Sequence, residues 1–195
     1  MSKSERGQLR IIAGSWRGRK LSFLDREGLR PTTDRVRETL FNWLQMDLPG
    51  SRCLDLFAGS GALGFEAASR GAAKVVMVDS DSETVSMLRS NIDLLSASQT
   101  EVICNDAVKF LKNYEQCDNR IFDIVFIDPP YRMDVIAQCC EWLESRQCLS
   151  DHAKIYVECD ASRDLSNNSN ALPANWRCLK HKKTGQVGYH LFTRD

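Results

Sequence analysis

The sequence predicts an α/β fold: a seven-stranded, mostly parallel sheet closed at one edge by an antiparallel C-terminal hairpin. Three observations predict it. From Ser51 onward, short apolar runs alternate with amphipathic stretches of helical spacing, as successive strand-helix units do. The segments joining them are short, so the units form one continuous body. The last two strand-like runs are separated only by Lys183-Thr-Gly-Gln186, which suits a hairpin turn and not a helical crossover. With 195 residues the chain can build one well-packed core with a small appendage, and is too short for two full-sized domains.

At the N-terminus, residues 10–13 and 19–23 are strand candidates around Gly14-Ser-Trp-Arg-Gly18, and a helix follows over residues 36–44, where Thr33 or Asp34 can serve as cap. Residues 1–44 are read as an extension and residues 45–195 as the main domain. Five core strands are expected at residues 53–57, 74–78, 101–104, 121–127 and 153–157. Between them fall helices at Ala62–Ser69, terminated by Gly71, and from Ser82 with Val85, Leu88, Ile92 and Leu95 on one face. Two more are expected at residues 107–114 and 135–149. Residues 162–175, rich in Ser, Asn and Asp, read as a loop before the hairpin of residues 176–182 and 187–193.

An apolar content of 43% beside 27% charged residues excludes collagenous and disordered classes. No stretch approaches the roughly 20 apolar residues a bilayer demands, and MSKSERGQLR lacks the apolar core of a signal peptide, so a cytoplasmic protein without a membrane partner is expected. The eight cysteines mostly interrupt apolar runs, as reduced buried thiols do. Cys178-x-x-His181 is a single pair with no matching second pair, and no metal is expected.

The first core strand runs into Asp55-Leu-Phe57-Ala58-Gly59-Ser60-Gly61-Ala-Leu-Gly64. Glycines there permit positive φ and close backbone approach, and the N–H groups of a helix start attract an anionic group. Gly59-x-Gly61-x-x-Gly64 also satisfies the dinucleotide fingerprint, with Asp79-Ser80 at the second strand's end where a ribose-binding acid belongs. S-adenosylmethionine is favoured over NAD. Asp55 can orient an ammonium group, Asp79 can accept from both ribose hydroxyls, and Asp106 and the Ala107 N–H can bond an adenine edge. An acid after a buried strand also commonly caps the next helix, the role read for Asp81 and Ser82.

The fourth core strand ends in Asp128-Pro129-Pro130-Tyr131, whose prolines remove two backbone donors as the chain leaves the sheet. Methylating an exocyclic amine needs acceptors for both N–H bonds, which the Asp128 carboxylate and the Pro129 carbonyl supply, while Tyr131 can stack on the base. Asp128 also borders the cofactor pocket.

The order of Asp55-Leu-Phe-Ala-Gly-Ser-Gly, Asp79, Asp106 and Asp128-Pro-Pro-Tyr resembles the class I S-adenosylmethionine-dependent amino-methyltransferases. Arg30-Pro-Thr-Thr-Asp-Arg-Val-Arg-Glu-Thr-Leu-Phe-Asn42, preceded by Trp16-Arg-Gly-Arg-Lys20 and followed late in the chain by Gly185-Gln-Val-Gly-Tyr189, is similar to the bacterial RsmD family. Asp79 stands where many relatives carry Glu. The resemblance implies a Rossmann-like class I methyltransferase fold. It further implies transfer of methyl from S-adenosylmethionine to guanine N2 of small-subunit (16S) ribosomal RNA, by a monomer acting on RNA within a subunit or assembly intermediate. A DNA adenine-N6 methyltransferase, an NAD-dependent oxidoreductase and a non-catalytic RNA-binding assembly factor are the alternatives.

Lys plus Arg and Asp plus Glu both number 26, and a formal charge of zero on its face argues against a nucleic-acid partner. Residues 1–37 nevertheless hold ten basic and four acidic residues, a balance of +6 that leaves −6 on the remainder. The extension is therefore read as RNA-contacting through Trp16, Arg17, Arg19, Lys20, Arg30, Thr33, Arg35 and Arg37, with Lys182 and Lys183 of the hairpin as a second patch.

Overall fold

The strand β3 (Arg52–Asp55) lies at the middle of the sheet, and the chain's path around it creates the site. In the computed structural model, residues 6–24, 32–114, 121–130, 135–166 and 172–195 are described. From β3 the chain passes through α2 (Ala62–Ser69), β4 (Lys74–Asp79), α3 (Ser82–Leu95) and β5 (Thr100–Cys104), building the sheet outward on one side. After α4 (Ala107–Lys112) it returns to the other side of β3 as β6 (Phe122–Ile127). Helix α5 (Ile136–Ser145), β7 (Leu149–Asp160), β8 (Trp176–Thr184) and β9 (Val187–Arg194) complete the order β5-β4-β3-β6-β7-β9-β8. The first five of these strands are parallel to their neighbours, and β9 runs antiparallel between β7 and β8. Strand order reverses between β3 and β6, so a crevice opens there at the carboxyl ends.

The strands are apolar on both faces because helices cover both. Cys53, Met77, Phe126 and Tyr156 pack under α2 and α3, whereas Leu54, Val78, Val125 and Val157 pack under α4 and α5. The N-terminal residues form a separate antiparallel pair, β1 (Arg6–Arg10) with β2 (Lys20–Leu24), and α1 (Asp34–Trp43), capped by Thr33. Leu9, Leu21, Val36, Leu40 and Phe41 join the same apolar cluster as α2 and α3.

Helix α2 and the N-cap of α1 fall where the sequence predicts, and the first strand does not. It spans Arg6–Arg10 instead of residues 10–13, because the Ile12 and Ala13 N–H groups donate to the Glu66 carboxylate at 2.8 and 3.0 Å and so leave the ladder. Strand β7 starts at Leu149, not residue 153, because Leu149 pairs with Phe122 across a register shift, and this ends α5 at Ser145. Asp81, not Ser82, caps α3 through bonds from the Glu83 and Thr84 N–H groups.

Candidate functional site

Parallel register determines which acids share a face. Asp55 pairs with Met77 on β4 and with Phe126 on β6, and Phe126 pairs with Tyr156 on β7. Side chains two residues further along point the same way. Asp79, Asp128 and Glu158 therefore form the next row at the carboxyl ends, beside the loop that follows β3.

In that loop Gly59 (φ 49°) and Gly61 (φ 77°) occupy the left-handed region, as the fingerprint requires. Gly64 is needed for space: a Cβ there would lie 2.5 Å from the Met77 sulfur. Asp79 braces the loop, its Oδ2 accepting from the Gly59 N–H at 2.8 Å and its Oδ1 from the Asp81 N–H at 2.9 Å. Ala58 and Ser60 are buried, Phe57 and Gly59 half-buried, and Ser80 exposed. The N-cap residue Gly61 makes no side-chain bond to α2, and the Ala62 and Leu63 N–H groups have no capping side chain among the described residues, which suits them to an anionic group.

Asp55 is 1% exposed, and its Oδ2 accepts from the Gly64 N–H at 3.0 Å. Through this bond it supports the loop from beneath. Burial pushes its pKa up to about 7, with the charges of Asp128 and Asp79 acting in the same direction. Asp106 caps α4 by accepting from the Lys109 N–H at 2.9 Å, beside the buried Ala107.

Asp128 is half-buried and precedes the buried Pro129 and exposed Pro130. Burial raises its pKa to about 6, against the opposing effect of the Thr32 hydroxyl, which donates to Oδ2 at 3.0 Å. Beside it on β7, Glu158 is 6% exposed and accepts from the Tyr156 hydroxyl at 2.8 Å. Burial and the charge of Asp128 push Glu158 up to about 8. Thr32 and Glu158 belong to the site and were missed from sequence, because only tertiary contact and strand register identify them. Tyr131 and Arg30 lie outside the described residues.

Of the basic residues read as RNA contacts, Arg17, Arg19, Lys20, Arg35, Lys182 and Lys183 are exposed, as is Thr33, and Trp16 is half-buried. Arg37 is a correction. It is 1% exposed, donates to the Arg10 carbonyl at 2.9 Å and to Asp34 at 2.6 Å, and stands 3.7 Å from Glu66. Its guanidinium belongs to the joint between the extension and α2 and is enclosed there.

The chain matches the family described as conserved hypothetical protein 95 over residues 9–193. It is 46% identical to the ribosomal RNA small subunit methyltransferase D of Haemophilus influenzae, over 96% of this chain and 94% of that protein. The Escherichia coli protein of the same name is 45% identical, over 97% and 91% respectively. The solved structure of yhhF from Escherichia coli superposes with a TM-score of 0.85 at 43% identity, covering 97% of this chain and 99% of that one.

Proposed function

Since the chain belongs to the RsmD family of small-subunit ribosomal RNA methyltransferases, we propose that its crevice between β3 and β6 holds the N2 amine of a guanine for methylation. The enzyme is a methyltransferase of small-subunit ribosomal RNA, and its methyl donor is S-adenosylmethionine. The residues present fit that donor. The Ala62 and Leu63 N–H groups at the start of α2 suit its carboxylate, and Asp79 and Asp106 each retain carboxylate lone pairs beyond the backbone bonds they accept. Bound there, the donor supplies an electrophilic methyl group on a positively charged sulfur. Asp79 holds the ribose hydroxyls, Asp106 and the Ala107 N–H hold the adenine edge, and Asp55 keeps the loop in shape.

The observation that carries the reading is Asp128, an ionisable acid at the strand-order reversal, immediately followed by the rigid Pro129-Pro130 turn. Its carboxylate accepts one amine N–H and the Pro129 carbonyl the other, which aims the lone pair and stabilises positive charge as it develops on nitrogen. Asp128 takes the proton that the nitrogen sheds once its bond to the methyl carbon replaces the S–CH3 bond, with S-adenosylhomocysteine as the neutral leaving group, and passes that proton to water. Tyr131 stacks on the base, which must be unpaired or flipped to reach the crevice. The extension of residues 1–44 and the hairpin lysines contact the RNA backbone. The same reading makes the enzyme a cytoplasmic monomer that acts on a small subunit or an assembly intermediate, with no membrane partner.

The test is methyl incorporation from labelled donor into unmethylated small-subunit particles, RNA and DNA. Asp128→Ala is expected to slow transfer by on the order of 100-fold. Wild-type rates in that variant, or labelling confined to DNA, would overturn the proposal.

A further inference from the structure

Thr32 lies 96 residues from Asp128 in sequence, yet its Oγ1 donates to Asp128 Oδ2 at 3.0 Å. It is 8% exposed and directly precedes Thr33, the cap of α1. That helix is itself fastened, since Arg37 donates to the Arg10 carbonyl and stands beside the buried Glu66. Thr32 is thus held at the root of an anchored helix. We propose that Thr32 is a positioning residue for methyl transfer, which fixes one oxygen of Asp128 so that the other faces the amine, and which ties the N-terminal extension to the chemistry.

This inference rests on the assignment of Asp128 as the amine acceptor. A threonine hydroxyl has one proton to donate, and it goes to Oδ2, while no hydrogen bond to Oδ1 is seen among the described residues. A donated hydrogen bond also favours the ionised carboxylate, the form that can accept an amine N–H. Among the described residues, the other groups facing Asp128 act the other way or are neutral. Asp55 comes from β3, and Glu158 and the Tyr156 hydroxyl come from β7; both acids interact unfavourably with a charged Asp128. Thr32 is the contact that offsets burial at this carboxyl.

The experiment is the pH profile of kcat from pH 5 to 8.5 for methyl transfer to unmethylated small-subunit particles, with both substrates saturating. Thr32→Val, which keeps the shape and removes the hydroxyl, should move the acidic limb upward by about 1 pH unit, so that the rate at pH 6 falls roughly 5- to 10-fold further than at pH 8. Thr32→Ser should return the limb to its wild-type position. Thr32→Ala removes the same hydroxyl with less bulk and gives a second reading if the valine variant folds poorly. A wild-type limb in the hydroxyl-free variants, or a displaced limb in the serine variant, overturns the inference. Asp128→Ala separates the two failures. If it stays active, the amine-site assignment falls and Thr32 with it; if it is inactive while the limb stays in place, only the role of Thr32 falls.

Discussion

Glu158 follows Val157 in β7 and stands beside Asp128 because Val157 pairs with Ile127. With Asp55 it completes a set of three carboxyls held at about 6, 7 and 8, all above the ordinary carboxylate range, and burial is the leading cause in each. The folded chain therefore retains protons that the unfolded chain has already released. Between about pH 4 and pH 8 the native state binds more protons, so stability falls as pH rises through this window. Glu158→Gln replaces the acid with a neutral isostere. It should leave the melting temperature at pH 5 nearly unchanged and raise it at pH 9 by roughly 3–6 °C, as read by calorimetry. The other acids of the site were visible in sequence because each stands at a break in an apolar run. Glu158 lies inside Ile155-Tyr-Val-Glu-Cys159, where no glycine or proline marks it, and register alone brings it into place.

Helix α2 serves two sites from its two ends. Its first turn follows the glycine loop, while Glu66 and Ser69 further along hold residues 12–16 of the extension. Glu66 is 0% exposed and accepts from the Ile12 and Ala13 N–H groups and from Arg70 Nε at 2.7 Å. Ser69 donates its hydroxyl proton to the Ala13 carbonyl at 2.6 Å, and its own carbonyl accepts from the Ser15 N–H at 2.7 Å. Removing one member of a buried charged network strands the rest. Glu66→Ala should lower the unfolding free energy by about 3–5 kcal/mol in urea titration and speed proteolysis within residues 12–19. The bounds of α2 were legible from its cap glycine and apolar spacing. The end of β1 was not, because Ile11-Ile-Ala13 is as strand-like as any run in the chain, and a carboxylate more than 50 residues away diverts its N–H groups.

Across the whole molecule, neutrality conceals two opposed regions, a first segment of +6 and a remainder of −6 whose carboxylates include those lining the crevice. The basic segment was legible from composition, but which of its arginines reach solvent was not. Arg17, Arg19 and Arg35 do, and Arg37 is enclosed. Replacing those three with Gln should weaken RNA binding and reduce the slope of log K against log salt by roughly 2–3, at about 0.7–0.9 per phosphate contact. Arg37→Gln should instead lower thermal stability and leave that slope near its wild-type value, which binding measured from 50 to 300 mM salt, on the order of the usual assay range, would decide. A mostly parallel sheet was legible from the alternation of strands and helices, whereas the strand order had to come from the structure. The clasp on α2 also has a temporal side. Residues 12–16 leave the ribosome more than 50 residues ahead of the Glu66 and Ser69 groups that receive them. The basic segment is thus made before the helix it clasps, and it cannot dock until translation has carried α2 into the open.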